Sequence, residues 1–224
     1  MKEDDAINVS EKLAKEEHDL YKYESNVSQN KVIWIKKYLT NILNKGKILV
    51  DLGCGSGKQM FKVEELGLAV IGVELSEGMI KWAQRNKEIL KSNAKIIKGS
   101  YFNILLENNS VDYVLFHKNI VECSYLEFEK IRDESYRILK NHGLFILTIN
   151  ENIEKYIENK KDSIENILNG CYEGNINTPN EKNIKYITYY WTMGFANYIT
   201  MKKFRIRNIL EMEEEKTRIL IYEK

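Results

Sequence analysis

The sequence predicts an α/β fold: a doubly wound, mostly parallel seven-stranded sheet with an antiparallel C-terminal hairpin and an insertion after strand five. Three observations predict it. Five short apolar runs alternate with helical-period segments between residues 31 and 150, the pattern of βαβ units with right-handed crossovers. The first run, Ile48 to Leu52, passes straight into Gly53-Cys54-Gly55-Ser56-Gly57, where glycines permit a sharp bend and close approach of a ligand to the backbone. The last two β-prone runs, Phe204 to Met212 and Lys216 to Glu223, are joined by a short acidic turn and must therefore be antiparallel.

Taken in order, residues 1–30 are polar, with Tyr21 and Tyr23 as their main aromatic content, and read as an N-terminal cap segment. From Lys31, Val32, Ile35, Leu39, Ile42 and Leu43 share one helical face, which Gly46 stops. Strand one is Ile48 to Leu52. A helix from Lys58 to Leu66 closes at Gly67, and Leu68 to Glu74 is strand two. Ser76 is placed to cap a helix whose apolar face is Met79, Ile80, Ala83 and Ile89-Leu90. Strand three is Lys95 to Gly99 and strand four Asp112 to Phe116. A helix with Phe128, Ile131, Ile138 and Leu139 leads to strand five, Gly143 to Ile149. Residues 31–150 thus form the ligand-binding core. The Asn- and Lys-rich stretch 151–190 is expected to be a lid over the acceptor, with one helical piece near Ile157, Ile164 and Leu168 and a β-prone run at Tyr186 to Trp191. Residues 191–224 are expected to complete the sheet as strands.

Composition excludes several classes. The 224 residues carry 34 Lys+Arg against 33 Asp+Glu, a formal charge of +1, which supplies no electrostatic footprint for nucleic acid. Cys54, Cys123 and Cys171 are too scattered for a disulfide framework or metal-ligand spacing, so no metal is expected. The acidic, polar N-terminus and the lack of a long apolar run point away from a signal peptide or membrane span and towards a cytoplasmic protein.

The chemistry lies at the glycine loop. In a doubly wound sheet, ligands bind beyond the carboxyl ends of the strands at the switch point beside strand one. Glu74, 23 residues after Asp51, has the spacing of an acid that grips a ribose diol. A dinucleotide needs G-x-G-x-x-G; here the third glycine comes one position early and Lys58 stands in the dinucleotide glycine's place. Asp51 beside a pyrophosphate would repel it, but it suits a cofactor with cationic groups. S-adenosylmethionine, with a sulfonium and an ammonium, fits better than NAD.

Val50 to Gly57 resembles the first motif of the class I S-adenosylmethionine-dependent methyltransferases, and Val70 to Ser76 followed by Met79 resembles the second. Lys98-Gly99-Ser100-Tyr101-Phe102 stands where that family has a Gly-Asp pair and a hydrophobic residue. Val111 to Phe116 resembles the fourth motif, and Arg137 to Gly143 the turn before strand five. The resemblance covers residues 31–150 and is similar to the type 11 group. It implies a Rossmann-like methyltransferase fold, with Asp51 and the loop backbone at Gly53, Cys54, Gly55 and Gly57 holding the methionine end and Glu74 the ribose. Leu75, Met79, Tyr101 and Phe102 would flank or contact the adenine, and Ser100 and Phe116 are further cofactor-binding candidates. Ser100 replaces the usual aspartate, so a hydroxyl or a backbone group must serve the adenine amino group. The single proline, Pro179, rules out the Asn/Asp-Pro-Pro-aromatic motif used on planar nitrogens.

Methyl transfer needs alignment above all, and a base only where the acceptor must lose a proton. His117, just past strand four, is the candidate general base; lining the pocket is its alternative role. Tyr21, Tyr23, Tyr189, Tyr190 and Trp191 are candidate walls for a small-molecule acceptor, although the last three also fit a strand that alternates between core and surface. An NAD-dependent oxidoreductase and a non-catalytic S-adenosylmethionine-binding domain are the competing functions.

Overall fold

The computed structural model describes residues 34–117, 120, 123–150, 171–176, 186–212 and 217–224, with 171–176 and 186–190 known by their backbone. The helical piece expected near Ile157, Ile164 and Leu168, and the cap segment with Tyr21 and Tyr23, lie outside the described residues. One seven-stranded sheet has the order β3-β2-β1-β4-β5-β9-β8. Its strands are β1 (Ile48–Leu52), β2 (Ala69–Glu74), β3 (Lys95–Lys98), β4 (Val111–His117), β5 (Leu139–Asn150), β8 (Arg205–Met212) and β9 (Thr217–Glu223). The first five are parallel and β9 is antiparallel to both β5 and β8. The order reverses between β1 and β4, which puts the switch point beside the glycine loop, as the sequence predicts. A separate antiparallel pair, β6 (Cys171–Ile176) and β7 (Tyr186–Trp191), falls within the insertion.

Two apolar layers cover the sheet. Leu49, Leu115, Ile146 and Ile221 face one side, where Met60, Phe61 and Val63 of helix α2 (Lys58–Glu64) pack with Trp34, Ile35 and Leu39. Val50, Val114, Phe145 and Leu220 face the other, against Phe128 and Ile131 of α4 (Tyr125–Ile138) and Ala196 and Ile199 of α5 (Met193–Met201). Strand side chains alternate between faces, so Asp51 shares the first layer with Leu49 and Leu115.

Four local expectations are corrected. The segment after Lys31 is a single π-type turn, α1 (Ile35–Leu39), where the periodicity predicts a regular helix, although Ile35, Leu39 and Leu43 are buried as expected. In α3 (Glu77–Leu90), Ser76 does cap the helix by accepting from the Met79 amide. Its inward stripe is Met79, Ala83 and Asn86, and Ile89 and Leu90 are exposed on the final turn. Leu139 is not helical: it pairs with Val111 as the first residue of β5, because α4 turns into the strand without a loop. Residues 191–224 are not all strand. Thr192 accepts from the Phe195 amide and opens α5, whose buried Ala196, Ile199 and Thr200 follow helical spacing. Among the described residues no helix is long and apolar enough to cross a membrane.

Candidate functional site

The glycine loop is shaped by positive φ at Gly53, Gly55 and Gly57, of 69°, 55° and 90°. At Gly57 a Cβ would also run into the Phe61 ring. Strand β2 holds the loop in place. The Val73 carbonyl accepts from Gly53 N (2.8 Å) and Cys54 N (3.1 Å), and Glu74 Oε2 accepts from Gly55 N (2.9 Å). From α3, Asn86 Nδ2 donates to the Ser56 carbonyl at 2.9 Å. Asn86 escaped the sequence reading, yet a buried amide at helical spacing from Met79 and Ala83 is a legible signal.

Two acids meet under this loop. Asp51 is 2% exposed, and its Oδ2 is a buried atom with no hydrogen-bond partner among the described residues. Burial, and secondarily the charge of Glu74, push its carboxyl up to about 8. Glu74 is also buried, but its carboxylate is engaged: Oε1 accepts from Leu75 N and Ser76 N, both at 2.9 Å, while Oε2 takes Gly55 N. With two oxygens and about four acceptor sites, the group has room left for one ligand hydroxyl on Oε2. Cys54 is buried, and burial together with the Asp51 and Glu74 charges raises its thiol well above the usual value. It is a small neutral filler, not a nucleophile.

The candidate adenine residues lie along the ends of β2 and β3. Met79 is buried at the first turn of α3 and Leu75 half-buried. The Ser100 hydroxyl accepts from Phe102 N at 3.2 Å, which closes the turn. Tyr101 and Phe102 are half-buried and edge-to-face at 4.9 Å. Phe116 is fully buried and stacked on Phe128 at 6.2 Å, so its ring supports Tyr101 from beneath, 5.8 Å away.

His117 closes β4 on the Asp51 face of the sheet. Its Nδ1 is 3.0 Å from Thr148 Oγ1 on β5, and Trp34 stacks on its ring at 4.8 Å and 15°. Trp34 and Thr148 carried no sequence signal, since neither belongs to a motif. Tyr189 and Tyr190 lie on β7, paired with Glu173 and Tyr172. Trp191 sits in the core: its indole donates to the Cys123 carbonyl at 3.1 Å and packs on Phe195 and Phe128. That core role explains its aromatic identity without an acceptor.

A buried carboxyl with one orphaned oxygen, an acidic hydrogen-bonded partner and a glycine loop suit a ligand that brings a cation and a ribose. The chemistry of the site fits S-adenosylmethionine.

Comparison with known proteins agrees. The sequence profile of the family described as a methyltransferase domain matches residues 50–147. YqeM of Bacillus subtilis (strain 168), named as a methyltransferase, is 26% identical over 121 residues, 50% of this chain and 49% of that protein. The chain thus spans about half the length of the curated relatives it matches. The PH0226 protein of Pyrococcus horikoshii OT3 superposes with a TM-score of 0.73 at 22% identity, covering 87% of this chain and 90% of that one. A structure described as S-adenosylmethionine-dependent methyltransferases, from Methanosarcina mazei, gives 0.69 at 18%, covering 83% and 96%.

Proposed function

We infer that this chain, whose residues 50–147 match the family described as a methyltransferase domain, is an S-adenosylmethionine-dependent enzyme that transfers a methyl group to a small-molecule acceptor. The observation that carries the reading is the buried Asp51 carboxyl, whose Oδ2 has no hydrogen-bond partner among the described residues, beneath a glycine loop that Glu74 ties down. A dinucleotide cofactor would bring phosphates to the same place, beside the Glu74 carboxylate and without a cation to answer Asp51. The NAD-dependent alternative is therefore disfavoured by charge as well as by Lys58 in the motif. A domain that binds the cofactor without turnover has no observation of its own in its favour.

S-adenosylmethionine would supply a methyl group already activated by its sulfonium. Asp51 would answer the cationic end of the ligand, and Glu74 would take a ribose hydroxyl with its remaining acceptor site. Tyr101 and Phe102 would flank the base, with the Ser100 hydroxyl near its edge. The rest of the rate comes from alignment and exclusion of water. The insertion at 151–190, with Tyr189 and Tyr190, and the N-terminal segment with Tyr21 and Tyr23 are proposed as the acceptor cover. His117 is proposed as the base. A cytoplasmic location is proposed as well.

Calorimetry with S-adenosylhomocysteine tests the donor half. Binding is expected for the intact chain, and Glu74→Ala should weaken it by on the order of 1–3 kcal/mol. No binding by the intact chain would sink the assignment. Screening acceptors for S-adenosylhomocysteine release tests the other half.

A further inference from the structure

Tyr101 and Phe102 stand on the connection from β3 to β4, residues 99–110, which holds neither helix nor strand. Parallel strands are usually joined through a helix, and a connection without one must find other partners for its backbone groups. Some lie within the connection. Phe102 N donates to Ser100 Oγ, Asn103 N to the Ser100 carbonyl and Leu106 N to the Ile104 carbonyl, at 3.2, 3.3 and 2.8 Å. Others come from the last turns of α4. Glu134 Oε2 accepts from Ile104 N at 2.9 Å, and Arg137 Nη2 donates to the Ile104 carbonyl at 2.7 Å. Arg137 Nη1 donates to the Leu106 carbonyl at 2.7 Å and to Asn108 Oδ1 at 2.9 Å.

The two side chains also hold each other. Arg137 Nε donates to Glu134 Oε1 at 2.9 Å and Nη2 to Oε2 at 2.8 Å, a fork on a fork. All five N–H donors of the guanidinium are thus used, three on the connection and two on Glu134. Hydrogen bonding from Arg137 holds the Glu134 carboxyl below its usual value, so it is charged where it meets Ile104. Glu134 is 19% and Arg137 30% exposed, which limits screening of the pair by solvent. Ile104 is itself buried, in the apolar layer that includes Phe116. Its amide and its carbonyl are therefore both gripped from α4, two residues after Phe102.

We propose that Glu134 and Arg137 are positioning residues for recognition of the cofactor's base: by fixing the peptide groups of Ile104 they set where Tyr101 and Phe102 stand. This rests on the methyltransferase reading, in which those two rings flank the adenine, and adds a pair of residues that acts through the connection. A segment already held in place gives up less conformational freedom when the ligand arrives. The ribose and homocysteine ends are served by Glu74, Asp51 and the glycine loop, which the pair does not touch.

S-adenosylhomocysteine and S-ribosylhomocysteine differ only by the base, so together they separate base recognition from the rest of the site. NMR titration of the full chain reads both, the weaker ligand at millimolar concentration. Arg137→Lys keeps the charge, but one ammonium cannot reproduce the planar fork. It should weaken S-adenosylhomocysteine on the order of tenfold and leave S-ribosylhomocysteine unchanged. Equal loss of both ligands, or an unchanged affinity for S-adenosylhomocysteine, overturns the proposal. A wild-type measurement serves if the variant does not fold. Coupling is reciprocal, so at matched occupancy S-adenosylhomocysteine should slow hydrogen exchange at the Ile104 amide more than S-ribosylhomocysteine does. Identical exchange with the two ligands overturns the proposal as well. A wild type that binds no S-adenosylhomocysteine overturns the methyltransferase reading and this proposal with it, whereas a wild type and a variant that bind it equally overturn this proposal alone.

Discussion

Asp51 shows what a single residue does when it is placed under a loop. Its carboxyl is raised to about 8 in the folded chain, against about 3.9 when unfolded. A raised value means that the folded form holds the proton more tightly. Its share of stability is full below the unfolded value and is lost as pH climbs through 8. Asp51→Asn removes that titration. The unfolding midpoint of the variant should therefore gain on the wild type between about pH 5 and pH 8 in the ligand-free protein. A pH-independent gap would mean that Asp51 ionises normally. Ligand binding runs the other way, because a cation favours the carboxylate. The sequence made the acid legible at its strand end and made Glu74 legible by spacing. It could not show that Glu74 is already bonded to three amides, because such bonds depend on where the loop folds back.

At the scale of elements, β2 is shaped as much by what it lacks as by what it carries. At Gly72 a Cβ would stand 2.5 Å from Met60 Sδ and 2.6 Å from Cys54 Sγ. Gly72→Ala should therefore press on both the loop and α2, and cost about 1–3 kcal/mol by overpacking. Chemical denaturation measures it, and an unchanged midpoint would show that the two sulfurs can step aside. Strands β1 and β4 were legible because each is an apolar run buried on both faces, and β2 because its run is apolar and buried in its carboxyl half. Helix α5 was not. Its turn from Met193 to Thr200 holds Phe195, Tyr198 and Ile199, residues at home in strands, and only the Thr192 cap marks its start. The exposed Ile89 and Leu90 misled in the opposite sense, since periodicity cannot tell where the sheet beneath a helix ends.

Across the whole molecule, the fold class was legible because the alternation of strand and helix runs unbroken from β1 to β5. The surroundings of His117 were not, since Trp34 and Thr148 come to it from segments distant in sequence. The strand order has a further consequence, in time. β9 lies between β5 and β8, so the outer edge of β5 has no partner until β9 exists. β5 ends at Asn150 and β9 begins at Thr217, 67 positions later. At about 5–20 residues per second of synthesis, that edge waits about 3–13 s. During that interval a nascent chain presents Leu144, Phe145, Ile146 and Leu147 on an open strand, the template for pairing with a neighbour on the same message. A chain stopped before Arg205 is expected to collect in the insoluble fraction; if it stays monomeric at micromolar concentration, the waiting edge is harmless. The final antiparallel strand would then be the step that releases the nascent protein from its own capacity to aggregate.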